Sequence, residues 1–266
     1  MKYAVVTGAY GGMGKATVDA LREQGYYVFA LDLKVGEAQE GVEPIAIDVT
    51  DQASVERAVA QVRARTERVD AVVHFAGIYM LDSLVEIGEE EFVRMFDVNV
   101  FGVYRINMAL MPVLGKGSRI IITTSELAPL QPLPFTGLYA ITKATLDRYA
   151  YSLRMEVQLL GIEVVVLRPG AVDTGMLGVS TRALDRFCER SKLYACNAAR
   201  FKRIVERVEA RNVPASKVAR KVAKILRKRK PALVYKLNRN PLLLLLNVLP
   251  KRTQTAVIRA VLKDKK

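Results

Sequence analysis

The sequence predicts an α/β protein, a single doubly wound parallel sheet with helices on both faces. Three observations predict it. Short apolar runs alternate with longer amphipathic stretches through the first two thirds of the chain. The first run leads directly into a glycine-rich turn. The 266 residues, 51% of them hydrophobic, suit one large domain with a sizeable core.

The elements follow in order. Residues 3–7 form the first strand, and the turn Thr7-Gly8-Ala9-Tyr10-Gly11-Gly12-Met13-Gly14 opens a helix over residues 14–24. The second and third strands, residues 27–32 and 44–48, end in Asp32 and Asp48, and a helix over residues 54–65 comes next. A fourth strand (71–75), a helix (89–114), a fifth strand (119–123), a helix (139–160) and a sixth strand (163–168) complete the alternation. Each strand is short and rich in Val, Ile or Tyr, and each helix repeats its apolar residues three or four positions apart. Beyond Gly175 the strand pattern stops, and one or two amphipathic helices are expected, with Phe201, Ile204, Val205 and Val208 on one face. Pro231 opens a last edge-strand candidate over residues 232–235. Residues 1–235 are therefore expected to form one domain, with a variable segment at 175–213, and residues 236–266 a basic, Leu-rich appendage.

Composition removes several chemistries. One His excludes a site built from several imidazoles, and two Cys, Cys188 and Cys196, make neither a four-thiolate zinc site nor a disulfide framework, so no metal is expected. The first strand begins too early for a secretory leader to precede it, which predicts a reducing, cytoplasmic setting. The net charge of +14 is concentrated: residues 1–181 hold 16 Lys/Arg against 22 Asp/Glu, and residues 182–266 hold 25 against 5. Such a patch attracts phosphates on nucleic acid or on anionic headgroups, and charge alone does not separate them. No helix-turn-helix or aromatic-interleaved basic motif is recognisable, so no nucleic-acid partner is expected. The run Leu242 to Leu249, closed by Pro250, is too short to span a bilayer, which takes about 20 apolar residues. With Lys236, Arg239, Lys251, Arg252, Arg259, Lys263, Lys265 and Lys266 around it, it either rests on an anionic membrane surface or packs on the protein.

Two constellations carry chemistry. Glycines after a first strand let the backbone approach a pyrophosphate, which the open N–H groups of the following helix hold. Asp32, at the end of the next strand, can accept hydrogen bonds from ribose hydroxyls and repel a 2′-phosphate, favouring NAD over NADP; Lys34 is the reason to keep NADP in view. Asp48 is placed to face the adenine. In Tyr139-Ala140-Ile141-Thr142-Lys143 the outer residues share a helix face, so the lysine charge is expected to lower the phenol from its ordinary value of about 10.

Together these motifs resemble the short-chain dehydrogenase/reductase family, which has a single Rossmann-like domain. The family's glycine turn matches Thr7, Gly8, Gly12 and Gly14, its Tyr-x-x-x-Lys matches Tyr139 and Lys143, its Ser matches Ser125, its helix Asn matches Asn99, and its Pro-Gly turn and carboxamide-binding Thr match Pro169, Gly170 and Thr174. The resemblance implies a catalytic set of Asn99, Ser125, Tyr139 and Lys143. It also implies a dinucleotide site that adds Met13, Asp32, Asp48, Val49, Ala76 and Gly77 to the turn residues, Tyr139, Lys143, Pro169, Gly170 and Thr174. Hydride transfer between the nicotinamide and an alcohol or carbonyl carbon is the implied reaction, with the helices at 89–114 and 139–160 as surfaces for homo-dimers or tetramers. Two departures stand out. His74-Phe75-Ala76-Gly77 replaces the family's Asn-Asn-Ala-Gly, and His74 reads as a structural hydrogen-bonding residue. The spacing from Ser125 to Tyr139 is 14 residues, about one longer than is usual in the family, with Thr124 as the alternative to Ser125. The apolar set Met176, Leu177, Leu184, Phe187, Leu193, Tyr194 and Phe201 suits either a lipophilic substrate of steroid, retinoid or long-chain alcohol type or ordinary core. A rival reading is a non-catalytic NAD-sensing protein that presents its basic end to a partner.

Overall fold

The structure is a computed structural model that describes residues 1–209 and 211–263, without the side chains of 175–182 and of 208 and 209. In chain order the elements are β1 (Lys2–Thr7), α1 (Gly12–Arg22), β2 (Tyr26–Asp32), β3 (Val42–Ala46), α2 (Gln52–Arg65), β4 (Ala71–His74), α3 (Glu89–Phe96), α4 (Gly102–Leu110), β5 (Arg119–Thr123), α5 (Gly137–Val157) and β6 (Glu163–Pro169). After them come β7 (Val172–Asp173), α6 (Gly175–Arg190), α7 (Ala195–Glu209), β8 (Val213–Pro214), α8 (Ala215–Arg227), β9 (Val234–Leu237), α9 (Pro241–Val248) and α10 (Lys251–Leu262).

Seven parallel strands run in the order β3-β2-β1-β4-β5-β6-β9. Because the chain leaves the sheet after β3 and re-enters beside β1 as β4, the direction of winding reverses there. The loops after β1 and β4 diverge at that point and leave a crevice at the carboxyl ends of the strands, where ligands of such sheets bind. Strand residues alternate between two cores. Val5, Ile120, Ile122, Val164 and Val166 join Val55, Val59, Ile106 and Leu146 of α2, α4 and α5 on one face. Ala4, Val6, Ile121, Val165 and Leu167 join Val18 and Leu21 of α1 and Val218, Val222 and Ile225 of α8 on the other. The period-two alternation of strand side chains is thus filled on both faces, which is why these strands read as continuous apolar runs.

Several expectations are revised. The helix expected over residues 89–114 is interrupted by a π-helical turn at Asp97–Phe101 and closes in a 3-10 turn at Met111–Val113; the apolar periodicity runs through both interruptions and hides them. Three helices, not one or two, lie between Gly175 and β9, and a two-residue parallel pair, β7 with β8, ties the start of α6 to the start of α8. The edge strand is present as β9, shifted to Val234–Leu237 and paired with β6, so the segment expected to begin as an appendage at residue 236 begins inside the sheet. A third core of Leu81, Leu184, Phe201 and Leu262, with Ile258 against it, sits under α6, α7 and α10, so α10 packs on the domain. Lys265 and Lys266 lie outside the described residues, as do the side chains of Met176, Leu177 and Val208.

Candidate active site

The glycine turn is shaped by close approach. Gly8 has φ +65°, and a Cβ there would lie 2.6 Å from the Ala76 nitrogen. At Gly14 a Cβ would lie 1.9 Å from the Gly8 carbonyl oxygen. Only hydrogen fits at either position. Thr7 ties this turn to the end of β4, its Oγ1 accepting the Ala76 N–H at 3.3 Å, and Thr174 packs its side chain against Gly12. α1 starts at Gly12 behind Gly11 with no side-chain cap, so its first N–H groups face the crevice unshielded. These features fit a dinucleotide pyrophosphate at the crevice.

Asp32 caps the same turn. Its Oδ2 accepts the Tyr10 N–H at 2.8 Å and its Oδ1 the Leu33 N–H at 2.8 Å, leaving further lone pairs on each oxygen. Asp48 and Val49 line a cleft of about 660 Å³ with Leu33, Ile78, Val93 and Arg94. The Asp48 carboxylate accepts the Thr50 N–H at 2.9 Å and its hydroxyl at 2.7 Å, which holds it below its ordinary value. A second cavity, of about 210 Å³, meets this cleft at Ile78. Met13, Gly77, Ser125, Tyr139, Lys143, Pro169, Gly170 and Thr174 all line it. Of the sequence-predicted residues, Asp48 and Val49 thus line the first cleft and Met13, Gly77, Ser125, Tyr139, Lys143, Pro169, Gly170 and Thr174 the second, while Thr7, Gly8, Gly12, Gly14, Asp32, Ala76 and Asn99 line neither.

At the floor of the second cavity Tyr139 and Lys143 sit one turn apart on α5, with Nζ 5.6 Å from the phenol ring centroid. The Ser125 hydroxyl stands close enough to the Tyr139 phenol to lower its pKa and accepts the Leu127 N–H at 3.2 Å. Thr124 is turned elsewhere, its hydroxyl donating to Asp147 at 3.2 Å, and Asp147 in turn pairs with Arg168. That assignment selects Ser125 over Thr124 as the hydroxyl beside Tyr139. Lys143 Nζ donates to the Thr123 carbonyl at 3.3 Å. Asn99, fully buried in the π turn, accepts the Ile78 N–H at 2.8 Å and donates to the Ile78 carbonyl at 3.0 Å and to Thr142 Oγ1 at 3.2 Å. π turns inside helices recur at functional sites because they re-aim a side chain, and here the side chain aimed is Asn99.

The expectation that Lys143 lowers the Tyr139 pKa is not met. Burial pushes the phenol up to about 12 against the opposing influence of the Ser125 hydroxyl. Burial also pushes Lys143 down to about 8, so much of the positive charge is lost above that pH. Desolvation therefore outweighs the pairwise attraction in this cavity.

His74 is buried, kept neutral with its pKa down to about 4, and its Nε2 lies 2.9 Å from Asn107 Oδ1. It reaches neither Tyr139 nor Ser125 by any hydrogen bond, and ties β4 to α4. The long Ser125-to-Tyr139 loop is accommodated by Phe135, which takes φ +64° with its ring among Phe187, Tyr194 and Phe201. The apolar set of residues 176–201 splits: Phe201 lines the cavity with Ile204 and Val205, Leu184 and Phe187 are core, and Leu193 is exposed. Among the cavity residues that sequence reasoning missed, three matter most to the site. Tyr79 stacks edge-on to Tyr139 at 4.7 Å, Glu126 follows Ser125 directly, and Leu243 enters from α9. Glu126 was detectable as the acid beside the Ser; Tyr79 and Leu243 carry no local signal. Among the described residues no acidic, His or Cys cluster could hold a metal.

Comparison with known proteins gives the same reading. The sequence pattern described as short chain dehydrogenase matches residues 2–185. A 3-ketodihydrosphingosine reductase of Bacteroides thetaiotaomicron is 29% identical over 85% of this chain and 84% of its own length. An NADPH-dependent 3-dehydrocapnine reductase of Ornithobacterium rhinotracheale is 26% identical, over 88% and 87%. The crystal structure of a 3-ketoacyl-(acyl-carrier-protein) reductase from Brucella melitensis complexed with NADH superposes with a TM-score of 0.71 at 22% identity, over 88% of this chain and 96% of that one, a likeness of fold. The chain belongs to the short-chain dehydrogenase family and is an oxidoreductase that acts on CH–OH groups with NAD(P).

Proposed function

We propose that the protein interconverts a secondary alcohol and a ketone on a lipophilic substrate, with NAD(H) as the preferred dinucleotide. The observation that carries this reading is the placement of Ser125 and Tyr139 together in a cavity whose wall includes the apolar side chains of Leu127, Leu133, Phe201, Ile204, Val205 and Leu243. Tyr139 exchanges the hydroxyl proton at its phenol oxygen, Ser125 holds the substrate oxygen, and Lys143 binds a ribose and supplies charge behind the phenol. Asn99 fixes the backbone at Ile78 and orders the proton path. When bound, the nicotinamide supplies or accepts the hydride at the carbon this set positions. The apolar wall excludes water and strengthens each of these polar contacts. The cofactor preference rests on Asp32, whose carboxylate stands at the turn where an adenosine ribose would bind. The two reductases above, named for a 3-keto and a 3-dehydro substrate, support a ketone. A turnover screen of secondary alcohols and ketones of increasing chain length with both dinucleotides tests the proposal. Activity that does not rise with chain length contradicts the lipophilic assignment.

Two surfaces extend the reading. On α9, Leu242, Leu245 and Val248 are 64%, 64% and 82% exposed while Leu243 turns inward to the cavity. Residues 236–263 contain six Lys/Arg and no Asp or Glu. An exposed apolar helix with cations and no Asp or Glu around it matches an anionic bilayer surface, which supports reading the protein as a cytoplasmic enzyme with a peripheral membrane contact. Among the described residues no helix is long and apolar enough to cross a membrane. The second surface joins α4 to α5. Phe101 at the end of the π turn and Tyr104 and Met108 on α4 are about half exposed at helical spacing, and Tyr151 and Met155 of α5 are exposed as well, apolar surface suited to a second copy of the chain. A solution mass above the 29.5 kDa of one chain supports that assembly, and a monomer at micromolar concentration contradicts it.

A further inference from the structure

Glu126 is the single carboxylate among the described residues that line the reaction cavity, and it follows Ser125 directly. Its backbone N–H donates to the Pro169 carbonyl at 2.8 Å, which fixes the residue between the ends of β5 and β6. One carboxylate oxygen, Oε2, accepts the N–H of Asn240 at 2.7 Å, and Asn240 caps α9 by accepting the Leu242 N–H at 2.9 Å. That contact accounts for one oxygen only. Oε1 stands over Gly170, where a Cβ would lie 2.8 Å from it. Among the described residues it has no hydrogen-bond donor, and no Lys or Arg forms an ion pair with the carboxylate. Arg239, the cation that acts on it electrostatically, is exposed and forms no ion pair with it.

Oε1 thus faces the cavity without a protein donor among the described residues, open to whatever enters there. Stapling α9 does not require a charge, since a neutral amide oxygen accepts the Asn240 N–H equally well. The other charged side chain in the cavity wall, Lys143, is committed to Thr123 and Tyr139. Resting on the proposed alcohol–ketone reaction, we infer that Glu126 selects substrates bearing a protonated amino group near the reacting carbon, the ammonium meeting Oε1 while the aliphatic chain runs along Ile204, Val205 and Leu243. A hydroxyl or ketone at the Ser125–Tyr139 pair and an ammonium at the neighbouring residue define an amino alcohol or amino ketone of long-chain type.

The test compares two stable alcohols of equal length, 2-aminodecan-3-ol and decan-3-ol, oxidised by wild type and by Glu126→Gln, which keeps an acceptor for Asn240. Wild type is expected to favour the amino alcohol in kcat/KM by about tenfold or more. In the Gln variant that ratio is expected to fall to within about twofold of one, because a charge-assisted bond to the ammonium is lost. Equal efficiency on both alcohols in wild type overturns the inference. So does an unchanged ratio in Glu126→Gln, since a purely structural role lowers both activities together. If neither alcohol is turned over, the alcohol–ketone reading of these substrates fails, and calorimetric binding of the same two compounds decides the role of Glu126. Amine-selective binding that the Gln variant loses supports it, and equal binding overturns it.

Discussion

Asn99 and the backbone of Ile78 exchange two hydrogen bonds, N–H to Oδ1 at 2.8 Å and Nδ2 to the carbonyl at 3.0 Å. Ile78 is the residue at which the cleft at Asp48 and the cavity at Tyr139 meet. A buried amide in a helix thereby stands in for a missing strand partner just after β4. Replacing Asn99 with Ala leaves both backbone groups without partners. The expected loss is about 1–3 kcal/mol of stability, together with a tenfold or larger fall in kcat as Gly77 and Ile78 lose their position. Urea unfolding and steady-state kinetics of Asn99→Ala check both, and an unchanged unfolding midpoint contradicts the assignment.

Lys143 gives a pH signature. Its folded pKa, about 8, lies below the ordinary 10.5, so between these values the unfolded chain binds more protons than the folded one. Stability contributed through this group therefore rises with pH across that window. The burial cost is present in full below about pH 8 and is relieved as the unfolded lysine also deprotonates. Relative to Lys143→Met, wild type is expected to gain about 3 kcal/mol between pH 7 and pH 10.5. Denaturant unfolding of both proteins at several pH values measures it. A difference that does not change with pH shows that Lys143 is not desolvated. The raised phenol of Tyr139 acts in the opposite sense between pH 10 and about 12, where stability falls.

Asp32 makes the cofactor preference testable. Wild type is expected to show higher kcat/KM with NAD(H), and Asp32→Ala to shift the ratio toward NADP(H) by about tenfold or more, since the repelling carboxylate is gone. The same change removes the acceptor for the Tyr10 and Leu33 N–H groups, so efficiency with NAD(H) falls too. Higher wild-type efficiency with NADP(H) would assign the recognition to Lys34 instead.

The outer face of α9 is exposed, so Leu242→Glu with Leu245→Glu leaves the core intact while removing the apolar contact and adding negative charge. Co-sedimentation of the wild type with anionic vesicles is expected to weaken with salt, as screening predicts, and to be lost in the double variant. Equal sedimentation of the two proteins contradicts a membrane role for α9.

Much of this was legible in the residues themselves. Strands such as residues 119–123 and 163–168 are apolar on both faces because helices cover both, and that needs no partner information to read. The glycine turn was equally legible, because a positive φ at Gly8 and the contact of Gly14 with the Gly8 carbonyl admit no side chain. What stayed hidden depends on long-range placement. Leu243 lies far along the chain from the Ser125–Tyr139 pair, and nothing local separates it from Leu242, which faces solvent. The π turn at Asp97–Phe101 is one extra residue in an otherwise helical pattern, and periodicity does not resolve it. The protonation states were misjudged for the same reason: helix spacing brings Lys143 to Tyr139, but how dry the cavity is depends on Tyr79, Phe201 and α9 arriving from elsewhere.

The central claim is that Tyr139 exchanges the substrate proton in an NAD(P)-dependent alcohol–carbonyl conversion. Its most direct test is the turnover rate of Tyr139→Phe on a substrate found in the screen, measured beside dinucleotide binding by the same protein. Removing one phenol oxygen is expected to lower kcat by about 100-fold or more while the dissociation constant for the dinucleotide stays within about threefold, because the glycine turn and Asp32 are untouched. A variant that binds the dinucleotide normally and keeps more than about a tenth of the wild-type rate contradicts the claim.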